Sequence, residues 1–108
     1  MYNGTWDWDD AKNELNLKNH RFDFWHAKKV FEDPNHMIEK DRIDPQTREQ
    51  RWHAIGLVNG LVITLSHTYR RKDDAKNEKG YYIHIISAFK SKKSDELRYF
   101  KQIYVQDP

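Results

Sequence analysis

The chain has 108 residues, 37% hydrophobic and 14% aromatic, a net charge of +2 and no cysteine. That is the length of one domain spanning 1–108, and its four Trp, six Tyr and five Phe argue against disorder, since each buried ring removes roughly 150–250 Å² from water. The lack of cysteine excludes a disulfide scaffold and thiolate metal sites and suits a reducing, cytoplasmic setting; the acidic start is not a signal peptide, and no apolar run approaches the roughly 18 residues of a membrane span.

The first expected element is a helix capped by Asp9 or Asp10, with Trp8, Ala11 and Leu15 on one stripe. Asn16 and Asn19 weaken it near His20. Asp23 then caps a second, short helix whose Phe24, Ala27, Val30 and Phe31 are spaced for one buried face, and Asp33-Pro34 stops it. Residues 35–48 are polar and read as a loop with a short edge strand near Met37-Ile38.

The run RWHAIGLVNGLVITLSHTY carries the strongest local signal. Asn59-Gly60 between two apolar segments marks a two-residue type I′ hairpin, because both central residues need positive φ. This sets Val58 opposite Leu61, Ile55 opposite Thr64, Trp52 opposite His67 and Arg51 opposite Thr68, with Glu49 and Arg70 paired beyond. One face then carries Trp52, Ala54, Val58, Leu61, Ile63, Leu65 and His67, and packs on helices. The other is apolar near the turn (Ile55, Leu57, Val62) and far from it becomes a patch of Glu49, Arg51, His53, Thr68 and Arg70.

Residues 70–80 read as a charged loop, YYIHIISAF as a third, largely buried strand, and the segment from Ser94 as a final helix with Leu97, Phe100, Lys101 and Tyr104 on its stripe. The pattern predicts an α+β domain: two N-terminal helices, a small antiparallel sheet and one C-terminal helix.

Charge is unevenly spread. Residues 1–54 carry 9 basic against 11 acidic side chains, and residues 55–108 carry 10 against 6. A basic second half could attract phosphates, but charge alone favours the plainer reading of a solvated surface. None of the six His lies three or four residues from another, and the four glycines form no phosphate loop, so neither a metal site nor a nucleotide cofactor is expected.

Metal-free RNA cleavage needs less. A 2′-hydroxyl must lose its proton and attack phosphorus, and cations must stabilise the phosphorane. Arg51 and Arg70 can clamp phosphate oxygens, Glu49 or His53 can act as base, and His84 can join them if it points to the same face. The same Glu49, Arg51 and Arg70 also suit plain cross-strand ion pairs. His67, on the apolar face, reads as a core histidine.

These residues also carry a resemblance. WDDAKNELNLKNH resembles the opening of BrnT-family toxins at Trp8, Asp9, Lys12, Asn13, Asn16 and His20. FWHAKKVFEDP resembles their F-x-x-A-x-x-V-F-x-D-P, EQRWHAIG their E-x-R-x-x-x-I-G at Glu49, Arg51, Ile55 and Gly56, and SHTYR their H-T-x-R at His67, Thr68 and Arg70. YIHIISAFK resembles I-R-I-I-S-A-R-K through Ser87, Ala88 and Lys90. The resemblance implies a RelE-like fold and an endoribonuclease that arrests translation. It implies a BrnA-like antitoxin, with operator DNA bound only through that partner. It also implies RNA contacts at Lys18, His20, Thr68 and Lys90. Three positions depart from the pattern: Arg21 replaces a glycine, and His84 and Phe89 replace two arginines. A divergent, non-catalytic binding domain is therefore the alternative.

Overall fold

The computed structural model describes residues 2–71 and 80–104. Its elements run β1 (Tyr2–Trp8), α1 (Asp10–His20), α2 (Phe24–Ala27, continued by a 3₁₀ turn over Lys28–Glu32), β2 (Met37–Ile43), β3 (Gln50–Val58), β4 (Leu61–Arg71), β5 (Tyr81–Lys90) and α3 (Lys93–Tyr104). One sheet holds all five strands in the order β1-β5-β4-β3-β2. The charged loop expected at 70–80 starts later than the sequence implied, because β4 extends through Arg71; residues 72–79 lie outside the described segments.

The α+β class holds, with two corrections. A strand precedes the helices, and that strand pairs parallel with β5, so the sheet is mixed rather than antiparallel throughout. β1 owes its place to a long-range partner: Trp6, Asp7 and Trp8 align with Ile83, His84 and Ile85. The edge strand near Met37-Ile38 is also longer than expected and pairs antiparallel with β3.

The hairpin forms in the expected register. Trp52 faces His67, Ile55 faces Thr64 and Val58 faces Leu61. Asn59 and Gly60 have φ of 50° and 82°, as a type I′ turn requires. One sheet face packs Ala54, Val58, Ile63, Leu65, Ile83, Ile85 and Ala88 against Phe24, Ala27 and Val30 of α2 and its 3₁₀ turn. Each such fully buried large apolar side chain contributes about 1.5–3 kcal/mol. Gly56 belongs to this contact. A Cβ there would sit 2.9 Å from Val30 Cγ2 and 3.0 Å from His36 Cβ, so only glycine lets the 3₁₀ turn approach so closely.

On the other face, α3 covers only the half near the turn, where Ile55, Val62 and Tyr99 form a second cluster with Met37, Phe100 and Ile103. The stripe expected on this helix is displaced. Leu97 and Tyr104 are exposed and Tyr99 is buried, because the Tyr99 hydroxyl donates to Asp33 Oδ2 while the Arg98 guanidinium forks onto Glu39 of β2. Asp33 Oδ2 also accepts from Leu57 N at 2.8 Å, just past the last β2–β3 pair at Met37 and Ile55. One carboxylate thus joins the 3₁₀ turn, β3 and α3.

α1 departs furthest from its periodicity. Asp9 caps it, accepting from Ala11 N at 2.9 Å and Lys12 N at 3.2 Å. Trp8 belongs to β1, Ala11 and Leu15 face solvent, and the buried residue is Asn16. Its Nδ2 donates to Phe22 O and Ala88 O, both at 2.8 Å, and its Oδ1 accepts from Ala88 N at 3.0 Å. Asn13 Oδ1 accepts from Phe24 N at 2.8 Å. Two side-chain amides therefore fasten α1 by serving backbone groups that would otherwise be unpaired. Arg21 ends the helix in the left-handed region at φ 64°, a position that favours glycine. No helix among the described residues is long and apolar enough to cross a membrane.

Candidate functional site

The uncovered half of the α3 face is the far end of the hairpin. There a cleft of about 140 Å³ is lined by Lys12, Asp44, Gln46, Thr47, Glu49, Arg51, Thr68, Arg70, His84 and Ile86. Five of the residues singled out from sequence thus meet in one place: Glu49, Arg51, Thr68, Arg70 and His84.

Each of the two arginines is held by a carboxylate. Arg51 Nη2 donates to Asp44 Oδ2 at 2.6 Å, with side chains only 22% and 14% exposed. Asp44 is itself fixed, since its Oδ1 accepts from Gln46 N at 2.8 Å and Thr47 N at 3.0 Å. Those N–H groups, Thr47 first, together with Arg51 hold its carboxyl at about 2. Arg70 forks onto Glu49, Nε to Oε2 at 3.0 Å and Nη2 to Oε1 at 3.1 Å. That pairing lowers the Glu49 pKa and raises that of Arg70. Both guanidinium groups keep spare donors, because an arginine carries five N–H bonds.

His84 reaches the cleft from β5. Its Nδ1 lies 2.6 Å from Asp7 Oδ1 on β1, and the imidazole is 14% exposed. The parallel pairing of Asp7 with His84 puts the two side by side. A carboxylate on Nδ1 fixes the tautomer with the proton there and leaves Nε2 as the proton acceptor.

A β-bulge shapes this wall. Ser66 pairs with Ser87 and His67 with Ile85, which leaves Ile86 over. Residues five apart on a regular strand point to opposite faces; the extra residue brings His84 and Phe89 to the same one. Phe89 pairs with Thr64. Its ring packs 5.9 Å from His20 and 6.4 Å, edge-on, from His53.

The remaining candidates fall elsewhere. His53 is outside the cleft, with Nε2 3.4 Å from Asp41 Oδ2. His20 lines a neighbouring depression with Lys12, Leu15, Asn16, Asn19, Ile86 and Ser87. Lys18 and Lys90 are exposed and line neither hollow. His67 is fully buried, edge-on to Phe31 and Tyr69, with Nδ1 3.2 Å from Leu65 O. Burial lowers its pKa to about 4, so it is a neutral core side chain.

Sequence reasoning missed Asp7, Lys12 and Asp44. Asp44 had a readable signal, because Asp-Pro-x-Thr is a side-chain-capped turn. Asp7 had none, as only the parallel partner reveals it. Among the described residues no three His, Asp or Glu side chains gather where they could hold a metal ion.

The family model described as the ribonuclease toxin BrnT of type II toxin–antitoxin systems matches residues 8–95. No curated protein matches the chain.

Proposed function

The chain belongs to the BrnT family of ribonuclease toxins of type II toxin–antitoxin systems, and we propose on that footing that it cleaves RNA in the Arg51–Arg70–His84 cleft without a metal ion. The observation that carries this reading is the convergence of Lys12, Arg51, Arg70, Thr68 and His84 on one cleft wall. The scissile phosphate lies between the two arginines, whose carboxylate partners hold them in place before substrate arrives. His84 Nε2 takes the proton from the 2′-hydroxyl. The 2′-oxygen bonds to phosphorus, the bond to the 5′-oxygen breaks, and that oxygen leaves as a hydroxyl with a proton from water, whose hydroxide takes the proton held by His84 and restores the base. The products are a 2′,3′-cyclic phosphate and a 5′-hydroxyl. Asp7 orients His84. Glu49 is a poorer base, because both its oxygens are engaged by Arg70 and its affinity for a proton is lowered; it positions that arginine. Thr68, whose hydroxyl donates to Gln50 O at 2.8 Å, supports the floor.

In this reading the fold is of the RelE-like kind, the activity arrests translation in the cytoplasm, and a BrnA-like antitoxin neutralises it by covering the cleft and alone contacts operator DNA. A non-catalytic member is the second reading, favoured by Phe89, which puts a ring where the resemblance has a cation. Induced expression with and without the co-expressed antitoxin decides between them. The proposal expects growth arrest and fragmented RNA only without the partner, both lost in Arg51→Ala and Arg70→Ala. Normal growth and intact RNA in cells holding folded, partner-free protein would overturn it.

A further inference from the structure

The depression beside the cleft has a different chemistry. It encloses about 260 Å³ between α1 and the bulged part of β5, and is lined by Lys12, Leu15, Asn16, Asn19, His20, Ile86 and Ser87. Lys12 and Ile86 line both hollows, so the two adjoin. Leu15 is 57% exposed on a helix whose other exposed positions are mostly polar. The Asn19 amide and the Ser87 hydroxyl stand at the rim with hydrogen-bonding capacity, while the amide of Asn16 is consumed by Ala88 and Phe22. Beyond them Phe89 and His20 add two rings 5.9 Å apart. An apolar hollow with a few polar groups, next to a phosphate cleft and joined to it by a lysine, matches the two halves of a nucleotide.

We propose that this depression is a nucleobase subsite: it takes the base of a nucleotide flanking the scissile phosphate, with Leu15 and Ile86 against the base, Asn19 and Ser87 toward its polar edge, and Lys12 on the connecting phosphate. The bulge falls at Ile86, and both Ile86 and its neighbour Ser87 line this hollow. The inference rests on the RNA-cleft reading above. It adds a source of sequence preference that phosphate contacts cannot supply.

The test measures binding rather than cleavage, so it is independent of turnover. The probes are two trinucleotides blocked by 2′-O-methyl groups and identical except that one lacks a base beside the central phosphate. The variant is Leu15→Ser with Asn19→Ala, two exposed positions whose replacement leaves the core intact. The wild-type chain is expected to bind the complete trinucleotide about tenfold more tightly than the abasic one, within the range of a single base contact. The variant is expected to bind the two equally, at the wild type's abasic affinity. Equal binding of both probes by the wild type, or an undiminished preference in the variant, overturns the subsite and leaves the phosphate cleft standing. No binding of either probe overturns the cleft reading and the subsite with it.

Discussion

Replacing Arg70 by Ala should separate catalysis from stability. The Arg70–Glu49 pair is a fork at 3.0 and 3.1 Å, but its side chains are 35% and 30% exposed. A pair that wet contributes about 0.2–1 kcal/mol to folding. In a domain of this size that corresponds to a fall in Tm of at most about 8 °C. The transition state loses more. Removing one preorganised contact to developing charge costs about 2.7–4 kcal/mol, or roughly 10²–10³ in rate. Arg70→Lys keeps the charge and loses the fork, so it should fall between the wild type and Arg70→Ala. Initial rates of RNA cleavage by purified proteins, beside thermal melts, give both quantities. A rate for Arg70→Ala near that of the wild type would refute the role of Arg70. Loss of activity matched by a collapse in Tm would refute the claim that Arg70 acts in chemistry rather than folding.

Three further perturbations follow from particular contacts. Gly56→Ala puts a methyl group 2.9 Å from Val30 Cγ2, which should cost about 1–3 kcal/mol; a melt unchanged from wild type contradicts the packing. Arg21→Gly relieves a left-handed residue at φ 64° and should stabilise by about 1 kcal/mol or slightly more, read as a shifted denaturation midpoint at constant slope. His67 is held neutral to about pH 4, so the unfolded chain binds a proton between pH 6.5 and 4 that the folded chain refuses. Stability therefore falls as pH drops through that window, by about 2 kcal/mol from pH 7.5 to 5. His67→Leu, which also removes a buried unpartnered Nε2, should flatten that dependence, and an equally steep one in the variant would show that another group is responsible.

The hairpin and its two faces were legible because their determinants are local. Asn59-Gly60 sets the turn, the turn sets the register, and period-two alternation then assigns every side chain. That logic also located Glu49, Arg51, Thr68 and Arg70 together. What escaped it depends on distant partners. β1 reads as YNGTWDW, with Gly and Asp but no β-branched run; it is a strand because β5 offers an edge. α1 was misread because periodicity counts apolar residues, whereas this helix is fastened by Asn13 and Asn16. The stripe of α3 was misjudged because Tyr99, a residue with a polar end, takes the buried place through Asp33. The placement of His84 and Phe89 on one face of the sheet rests on a bulge that no spacing rule announces.

The central claim is that Arg51, Arg70 and His84 promote attack by the 2′-hydroxyl without a metal ion. Its most direct test is the chemistry of the cut ends after incubation of purified protein with RNA in excess chelator. The account predicts undiminished cleavage leaving 2′,3′-cyclic phosphates and 5′-hydroxyls, none at a 2′-O-methyl position, and at least about a hundredfold less with Arg51→Ala, Arg70→Ala or His84→Gln. Cleavage that stops in chelator, or that leaves 3′-hydroxyls and 5′-phosphates, would contradict it.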